Sequence, residues 1–434
     1  MYNKNQIDII SMGCSKNLID SERLLKQLDA KGYTTVHDPE MPEGEYVVIN
    51  TCGFINDAKE ESINTIIDLV EMKKAGQIGK IVVMGCLTQR YLDDLVAEFP
   101  EVERWYGKFD WKSFIETLPD VKENCATPFA WERKLTTPPH SAYIKISEGC
   151  NRFCSFCAIP IITGRHTSRP IEEILEETES LVKEGVKEFN VIAQDLSSYG
   201  TDIYGRQALA ELVERMAETK GVEWIRLHYA YPSDFPMDVL DVMARHDNVC
   251  KYLDIALQHI SNPVLSNMRR HIDKEQTLNL LSEIRKRVPG IKIRTTLMTG
   301  FPGEGEMEFE ELVDFVKTQK FDRMGAFAYS EEDDTFGQKN FEDTIPEDVK
   351  HKRLDRIMEI QEEIASRLNE EMIGTVQKVL IDRIEGDSAF GRTQYDSPEV
   401  DPEVIINDNT LKPGDFVNVR ITGAYPFELL GETV

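Results

Sequence analysis

The sequence predicts an α/β protein in three parts: an N-terminal open parallel α/β domain, a central partial (β/α)6 barrel and a small C-terminal antiparallel β-barrel. Three observations support this prediction. Short β-branched apolar runs alternate with segments of helical spacing in the N-terminal part, and the same alternation resumes in the longer central part. Such alternation is typical of parallel sheets covered by helices. The last part is rich in β-forming residues and punctuated by Gly, Asp and Pro, which favours an OB-like barrel.

Residues 1–118 show the βαβαβα order of the N-terminal domain. The predicted strands and helices alternate as Ile7–Ser11, Leu18–Leu28, Tyr46–Asn50, Ala58–Val70, Lys80–Met84 and Leu92–Phe99. Residues 119–140 contain several prolines and no hydrophobic period, so we interpret them as a linker.

Residues 141–370 contain six strand–helix units and a trailing helix, which is predicted over Pro346–Glu371. Six units predict a partial barrel, and barrels of this kind carry their chemistry at the C-terminal ends of the strands. The predicted barrel strands are Tyr143–Ser147, Phe189–Ala193, Trp224–Tyr229, Tyr252–Leu257, Lys292–Leu297 and Gly325–Tyr329. In residues 371–434 the predicted strands are Val376–Ile384, Phe390–Tyr395, Val404–Ile406 and Phe416–Ile421.

The composition bounds the class of protein. Of 434 residues, 41% are hydrophobic and 29% are charged, which is enough apolar material for a large core. No apolar run reaches the ~18 residues that a membrane span needs, and the first residues lack the basic flank and apolar stretch of a signal peptide. We therefore expect a cytoplasmic protein without membrane contact. In that compartment the eight cysteines point to metal or catalytic roles before disulfides.

The formal net charge of −27 opposes binding to a phosphate backbone, because nucleic-acid binding rests on basic residues. The charge either serves solubility or suits a basic partner. A local basic patch within an acidic total stays compatible with this number.

Cys150, Cys154 and Cys157 have C-x3-C-x2-C spacing directly after the first predicted barrel strand. Three thiolates on one tight loop can hold three irons of a four-iron cluster, and the missing fourth cysteine leaves one iron open. A zinc site is the alternative, but zinc prefers four ligands and the nearest histidine, His166, lies nine residues beyond Cys157. Buried thiols without a metal are the other alternative.

Cys14, Cys52 and Cys86 each stand at the C-terminal end of a predicted N-terminal strand. Ends of neighbouring parallel strands meet at one crevice, so these three thiols can converge. The alternative is that they are small apolar core residues. Cys125 and Cys250 match neither set, and we interpret both as structural.

The central segment, with Phe156 before the last cysteine, resembles the signature of the radical S-adenosylmethionine superfamily. The resemblance implies that the open iron binds the amino and carboxylate groups of S-adenosylmethionine. An electron from the cluster then cleaves the sulfonium and yields a 5′-deoxyadenosyl radical. It also implies that Phe156 lies against the adenine, although a core aromatic is an alternative. Gln194 and Asp195 end the second barrel strand and are candidate cofactor contacts.

Three further motifs resemble the N-terminal domain of the methylthiotransferase family. They are Gly13-Cys14-Ser15-Lys16-Asn17 with Asp20-Ser21-Glu22, then Asn50-Thr51-Cys52-Gly53-Phe54-Ile55, then Gly85-Cys86-Leu87-Thr88-Gln89-Arg90. In that family the three cysteines hold a second 4Fe–4S cluster, whose open iron is associated with the sulfur to be inserted. The resemblance therefore implies two 4Fe–4S clusters, with all six cysteines as metal ligands.

The resemblance covers essentially the whole chain and extends to one branch of the family. Some branches modify an adenosine in transfer RNA, whereas the RimO type modifies the β-carbon of an aspartate in small-subunit ribosomal protein twelve. The segments that favour the RimO type are Ala193-Gln194-Asp195-Leu196, Leu257-Gln258-His259 and the run from Phe321 to Ser330. One departure is that Ser330 precedes Glu331, where this branch often has Ser-Pro.

The C-terminal barrel resembles a TRAM domain, which binds RNA in the transfer-RNA enzymes. From Glu371 onward it carries five Lys/Arg against twelve Asp/Glu, a difference of 5 − 12 = −7. This sign suits a basic protein substrate better than RNA. The expected partners are ribosomal protein twelve or the ribosomal subunit, and an electron donor such as flavodoxin or ferredoxin. A transfer-RNA methylthiotransferase is the alternative, and a non-enzymatic iron–sulfur or zinc module is a more remote one.

Overall fold

A computed structural model describes residues 2–122 and 127–434, and it confirms the predicted α/β class with a C-terminal β-barrel. Cys125 lies outside the described residues, so its structural role stays a prediction. Among the described residues, no helix is long and apolar enough to cross a bilayer.

The N-terminal part is a parallel sheet covered by helices. In chain order its elements are β1 (Asn3–Ser11), α1 (Ser15–Ala30), β2 (Thr34–His37), β3 (Gly44–Thr51), α2 (Asn56–Lys74), β4 (Lys80–Gly85), α3 (Cys86–Glu98), β5 (Arg104–Trp105) and α4 (Trp111–Glu116). The strand order is β2-β1-β3-β4-β5, and each neighbouring pair is parallel. Apolar side chains pack on both faces of this sheet, as expected for a parallel sheet.

The central part is a six-stranded parallel sheet in the order β13-β12-β11-β10-β9-β6, with β13 and β6 as its edges. Its first half contains β6 (Ser141–Lys145), β7 (Ser147–Glu148), α5 (Ile159–Thr163), β8 (Thr167–Ser168), α6 (Ile171–Glu184), β9 (Glu188–Ile192), a 3-10 turn (Leu196–Ser198), α7 (Leu209–Glu218) and β10 (Trp224–Ala230). Its second half contains α8 (Asp238–Arg245), β11 (Val249–Ile255), α9 (Asn262–Asn267), α10 (Lys274–Arg287), β12 (Lys292–Thr299), α11 (Glu306–Gln319), β13 (Arg323–Ala328), α12 (Phe336–Asn340) and α13 (Glu347–Glu370).

The C-terminal part is a closed five-stranded barrel in the order β14-β15-β16-β18-β17. Its strands are β14 (Val376–Glu385), β15 (Ser388–Thr393), β16 (Glu403–Ile406), β17 (Phe416–Ala424) and β18 (Glu428–Thr433). Closure removes the free strand edges that a small sheet would otherwise expose.

The two outer parts contact opposite ends of the central strands. Trp224 begins β10 and packs against Phe416 of the C-terminal barrel, with ring centroids 4.9 Å apart. Glu188 begins β9 and forms an ion pair of 2.8 Å with Arg392 of the same barrel. At the other end, Lys145 is the last residue of β6, and its ammonium group pairs with the carboxylate of Asp20 in α1 at 2.5 Å. The N-terminal part therefore covers the end of the barrel where the chemistry is expected.

Candidate active site

The central cysteine loop follows β6 and β7 directly. Gly149 has φ +80°, and a Cβ there would lie 2.2 Å from the Arg165 carbonyl oxygen, so the tight turn requires glycine. Cys150 and Cys154 are buried, and Cys157 is half-buried. The structure thus encloses the three thiols on one loop at the C-terminal end of the first barrel strand.

The surroundings of this loop suit thiolates bound to a cluster. Burial raises the pKa of Cys150 to about 12 and raises that of Cys157 further, and the neighbouring cysteines add to both shifts. Cysteines bind iron as thiolates, so binding a cluster would supply the positive charge that thiolates at these buried positions need. The Arg152 amide donates to Cys150 Sγ at 3.4 Å, and the Arg270 guanidinium donates to Cys154 Sγ at 3.3 Å. Hydrogen bonds of this kind stabilise cluster thiolates.

The second triad forms where β1, β3 and β4 end. Cys14, Cys52 and Cys86 follow these strands within three residues of their last positions. A Cβ on Gly13 would lie 2.7 Å from Cys52 Sγ, so the first strand end approaches the second closely. A Cβ on Gly53 would in turn lie 2.8 Å from the backbone of Cys86. The three strand ends therefore converge, and two glycines make the approach possible.

The surroundings of this second triad shift the pKa values of its three thiols in different directions. Desolvation by the surrounding protein raises the pKa of Cys14, although this thiol is exposed on the cavity wall, and the ammonium groups of Lys16 and Lys108 with two backbone amides outweigh that effect and lower the pKa. Burial raises the pKa of Cys86 to about 12, and the other two cysteines contribute to this shift. Burial also raises the pKa of Cys52. Cys14 is thus the triad member that most readily becomes a thiolate.

A buried chain of charged side chains runs between the two triads. Lys108 pairs with Asp20 at 3.0 Å, and the other Asp20 oxygen pairs with Lys145 at 2.5 Å. Lys145 continues to Glu148 at 2.8 Å, one residue before the central loop begins. Asn17 completes the other end, since its Oδ1 accepts from Lys108 at 3.2 Å and faces Cys86 Sγ at 3.5 Å. Sequence reasoning missed the two lysines, because nothing in the local pattern shows that they are buried.

One cavity of about 960 Å³ connects the two cysteine loops. Cys14 and Phe156 both line it, together with Arg294 from β12 and residues 397–400 from the C-terminal part. Phe156 also packs edge-on against Phe301, with ring centroids 6.2 Å apart. A cavity of this size accommodates a cofactor-sized ligand.

Gln194 and Asp195 do not belong to the described residues that line this cavity. The Asp195 carboxylate is buried and accepts from Arg152 Nε at 2.7 Å, from the Ser197 amide and from Ser198 Oγ, so it caps the 3-10 turn. Gln194 donates to Glu148, while its Oε1 is buried without a partner among the described residues. A role in cofactor binding stays a prediction for both residues.

The described residues contain no group of three His, Cys, Asp or Glu side chains close enough to hold a single metal ion. A zinc ion needs its ligands within about 2.3 Å, whereas a four-iron cluster holds each cysteine at a separate corner.

Cys250 lies apart from both triads, buried among Trp224, Tyr252 and Leu380.

Three family models match the chain in succession. Residues 6–107 match the Uncharacterized protein family UPF0004, residues 144–316 match the Radical SAM superfamily, and residues 373–434 match the TRAM domain. The chain therefore carries the radical S-adenosylmethionine and TRAM modules that the sequence motifs indicated.

The chain is also similar over its full length to curated proteins. It is 58% identical over 428 residues to the ribosomal protein uS12 methylthiotransferase RimO of Phocaeicola vulgatus, covering 98% of each chain. The protein of the same name from Cytophaga hutchinsonii is 48% identical over 434 residues, covering 99% of this chain and 98% of the relative.

Solved structures share the fold at low identity. The radical S-adenosylmethionine methyltransferase TsrM from Kitasatospora setae matches with a TM-score of 0.56 and 15% identity, covering 88% of this chain and 82% of that chain. The cobalamin-dependent radical enzyme OxsB matches with a TM-score of 0.53 and 11% identity, covering 83% of this chain and 57% of that one. These structures show the fold, and the full-length relatives together with the family models show that the chain belongs to the RimO family of radical S-adenosylmethionine methylthiotransferases.

Proposed function

We propose that this enzyme adds a methylthio group to the β-carbon of an aspartate in small-subunit ribosomal protein twelve. The observation that carries the proposal is the single cavity that the loops of both cysteine triads reach. A reaction that joins a radical step to sulfur transfer needs both centres to face one substrate carbon. The full-length relatives named ribosomal protein uS12 methylthiotransferase support this choice of substrate.

Cys150, Cys154 and Cys157 would hold one 4Fe–4S cluster, and Cys14, Cys52 and Cys86 would hold a second. Each triad lacks a fourth cysteine, which leaves one iron open to a ligand. When bound, the clusters and S-adenosylmethionine would supply the electron, the radical and the sulfur for replacing a C–H bond. The protein's own contribution is to position these groups and to exclude water from the cavity.

Gln194 stays a candidate cofactor contact, because its buried Oε1 has no hydrogen-bond partner among the described residues, but it lies outside the lining of the cavity. Phe156 supplies an aromatic face on the cavity wall where an adenine can stack. Asp195 would act indirectly, through the Arg152 side chain that it holds.

We also propose the domain boundaries 1–118, 141–370 and 371–434, with a linker at 119–140, from the order of helices and strands along the chain.

The charges of the C-terminal barrel favour a protein substrate over RNA. Of its five basic side chains, Arg392 is buried between Glu188 and Asp382, and Arg383 pairs with Glu403 and Glu385. Side chains neutralised in this way are not free to release counterions from a phosphate backbone. The barrel therefore stays net acidic, in keeping with the count of 5 − 12 = −7. A basic ribosomal protein complements such a surface.

The test is a side-by-side assay after anaerobic reconstitution with iron and sulfide. Ribosomal protein twelve, the assembled small subunit and transfer RNA are each offered with S-adenosylmethionine, flavodoxin or ferredoxin and a reductant. We expect mass spectrometry to find a methylthio group on one aspartate of the ribosomal protein. Cys250→Ala is the control for substitutions of the triad cysteines in this assay, because it removes a buried cysteine outside both triads. Methylthio adenosine in the RNA with unmodified ribosomal protein would favour the transfer-RNA alternative.

A further inference from the structure

Arg270 is a buried cation whose guanidinium points at the central cysteine loop. The side chain is 3% exposed, and its Nη1 donates to Cys154 Sγ at 3.3 Å. Its Nη2 donates to the carbonyl oxygen of Ala256, and its Nε has no partner among the described residues. Arg270 lies three residues after the end of α9.

Arg270 lacks the counterion that a buried guanidinium normally has. Among the described residues, no Asp or Glu oxygen lies within 4.0 Å of it, whereas buried Arg226, Arg323 and Arg392 each pair with a carboxylate. An unpaired buried charge is strongly destabilising. Cys154 Sγ, 3.3 Å from the guanidinium, becomes a negative charge beside Arg270 when this cysteine binds iron as a thiolate. Neutral thiols would leave this cation uncompensated.

Tyr231 fixes the guanidinium in place. Arg270 lies over one side of the Tyr231 ring at 4.1 Å from the centroid, and Arg152 lies 4.3 Å from the same centroid. The Tyr231 hydroxyl donates to the Arg270 carbonyl oxygen at 3.0 Å, and its oxygen lies 3.4 Å from Cys154 Sγ. Arg152 differs from Arg270 in one respect, because its charge is already balanced by Asp195 at 2.7 Å. The stack thus holds one balanced and one unbalanced cation on the same tyrosine ring.

We infer that Arg270 is the fixed counterion of the central iron–sulfur cluster and sets its reduction potential. The inference rests on the cluster proposed for Cys150, Cys154 and Cys157, and it goes beyond the substrate assignment. When the cluster accepts one electron from flavodoxin, ferredoxin or a chemical reductant, its negative charge rises by one. A cation hydrogen-bonded to a ligand sulfur stabilises this reduced form more than the oxidised form. Arg270 is therefore a positioning residue that makes the cluster easier to reduce.

The test is an anaerobic redox titration of the full-length reconstituted enzyme, followed by electron paramagnetic resonance. The signal of the central cluster is identified as the one that changes when S-adenosylmethionine is added. The variants are Arg270→Gln, which removes the charge, and Arg270→Lys, which keeps it. Arg269→Gln is the matched control, since Arg269 neighbours Arg270 but stacks on Phe336 at 4.6 Å instead of meeting a cysteine.

We expect Arg270→Gln to lower the ratio of reduced to oxidised cluster at a fixed potential about tenfold, which is about 59 mV for a one-electron couple. Arg270→Lys should stay within about threefold of the unmodified enzyme, and Arg269→Gln should match it. If folded Arg270→Gln holds no cluster while Arg270→Lys does, the requirement for charge also supports the inference.

An unchanged potential in loaded Arg270→Gln would overturn the inference. Loss of the cluster from both Arg270 variants, with Arg269→Gln loaded, would overturn it too, because shape and not charge would then be decisive. If the unmodified enzyme itself shows no signal that responds to S-adenosylmethionine, the cluster assignment fails first. That outcome is distinct from a failure of the Arg270 inference alone.

Discussion

Glu188 offers the sharpest test of how the C-terminal barrel is attached to the central one. It is fully buried and accepts from Arg392 at 2.9 and 2.8 Å, from Arg226 at 3.1 Å and from Ser141 Oγ at 2.8 Å. In Glu188→Gln, Arg392 keeps a second carboxylate, Asp382. Arg226, which is 0% exposed, keeps only carbonyl oxygens of the C-terminal barrel among the described residues. The substitution therefore leaves one buried cation without a counterion.

The cost follows from that single uncompensated charge. Removing one partner of a buried ion pair destabilises a protein by about 3–5 kcal/mol. Glu403→Gln is the matched control, because Glu403 also meets an arginine through both oxygens, but at the surface. Those side chains are 34% and 42% exposed, and exposed pairs contribute about 0.2–1 kcal/mol. The two substitutions change the same chemical group and should differ in stability by about 2–5 kcal/mol.

The assay is urea unfolding followed by circular dichroism and by tryptophan fluorescence, since Trp224 packs against Phe416 at the junction. Burial by itself raises the pKa of Glu188, but Arg392 and Arg226 outweigh it and hold the pKa well below its usual range. A lowered pKa means that the stabilisation is complete above the unfolded value of about 4.3 and is lost as pH falls. The difference between Glu188→Gln and the unmodified enzyme should be constant from pH 8 to 6 and shrink below pH ~4. Equal effects of Glu188→Gln and Glu403→Gln would refute the reasoning.

Because the C-terminal barrel packs on the central one in this way, deleting it is not a clean test of its role in substrate binding. Deleting residues 371–434 would uncover Trp224, Arg226 and Glu188 together, so the loss of activity would mix unfolding with lost binding. Substitutions on the outer surface of the barrel separate the two effects.

Three further predictions concern the clusters and the substrate. The Cys14/Cys52/Cys86 triple alanine should hold about four irons where the reconstituted enzyme holds about eight, and should still form 5′-deoxyadenosine; failure to cleave S-adenosylmethionine with the central cluster intact would contradict the division of roles. Cys154→Ala should form no 5′-deoxyadenosine above the level of cluster-free protein, because a methyl group cannot bind iron, and product above that level would count against the ligand assignment. Association with ribosomal protein twelve, measured by titration at rising salt, should weaken steadily as the charges are screened; binding that does not change with salt would argue against recognition by charge.

Local patterns predicted much of the fold, because they are encoded within single segments. The strand Tyr46–Asn50 and the helix Pro346–Glu371 were each found within a few residues, since buried strands and amphipathic helices carry their own periodicity. The strands β2, β5, β8 and β18 were missed. The first three are short, and all four are defined by their pairing with neighbours more than by an apolar run.

The sequence by itself predicted the two cysteine triads, because one has a local spacing and the other follows strand ends that parallel pairing brings together. Only the tertiary structure decided which charges surround them. Lys108, Lys145 and Arg270 look like ordinary surface cations in the sequence, yet all three are buried at the site. The reason is that the burial and pairing of a charge depend on segments far away in the chain. Local periodicity records which face of an element is apolar, but not which distant side chain will neutralise a charge.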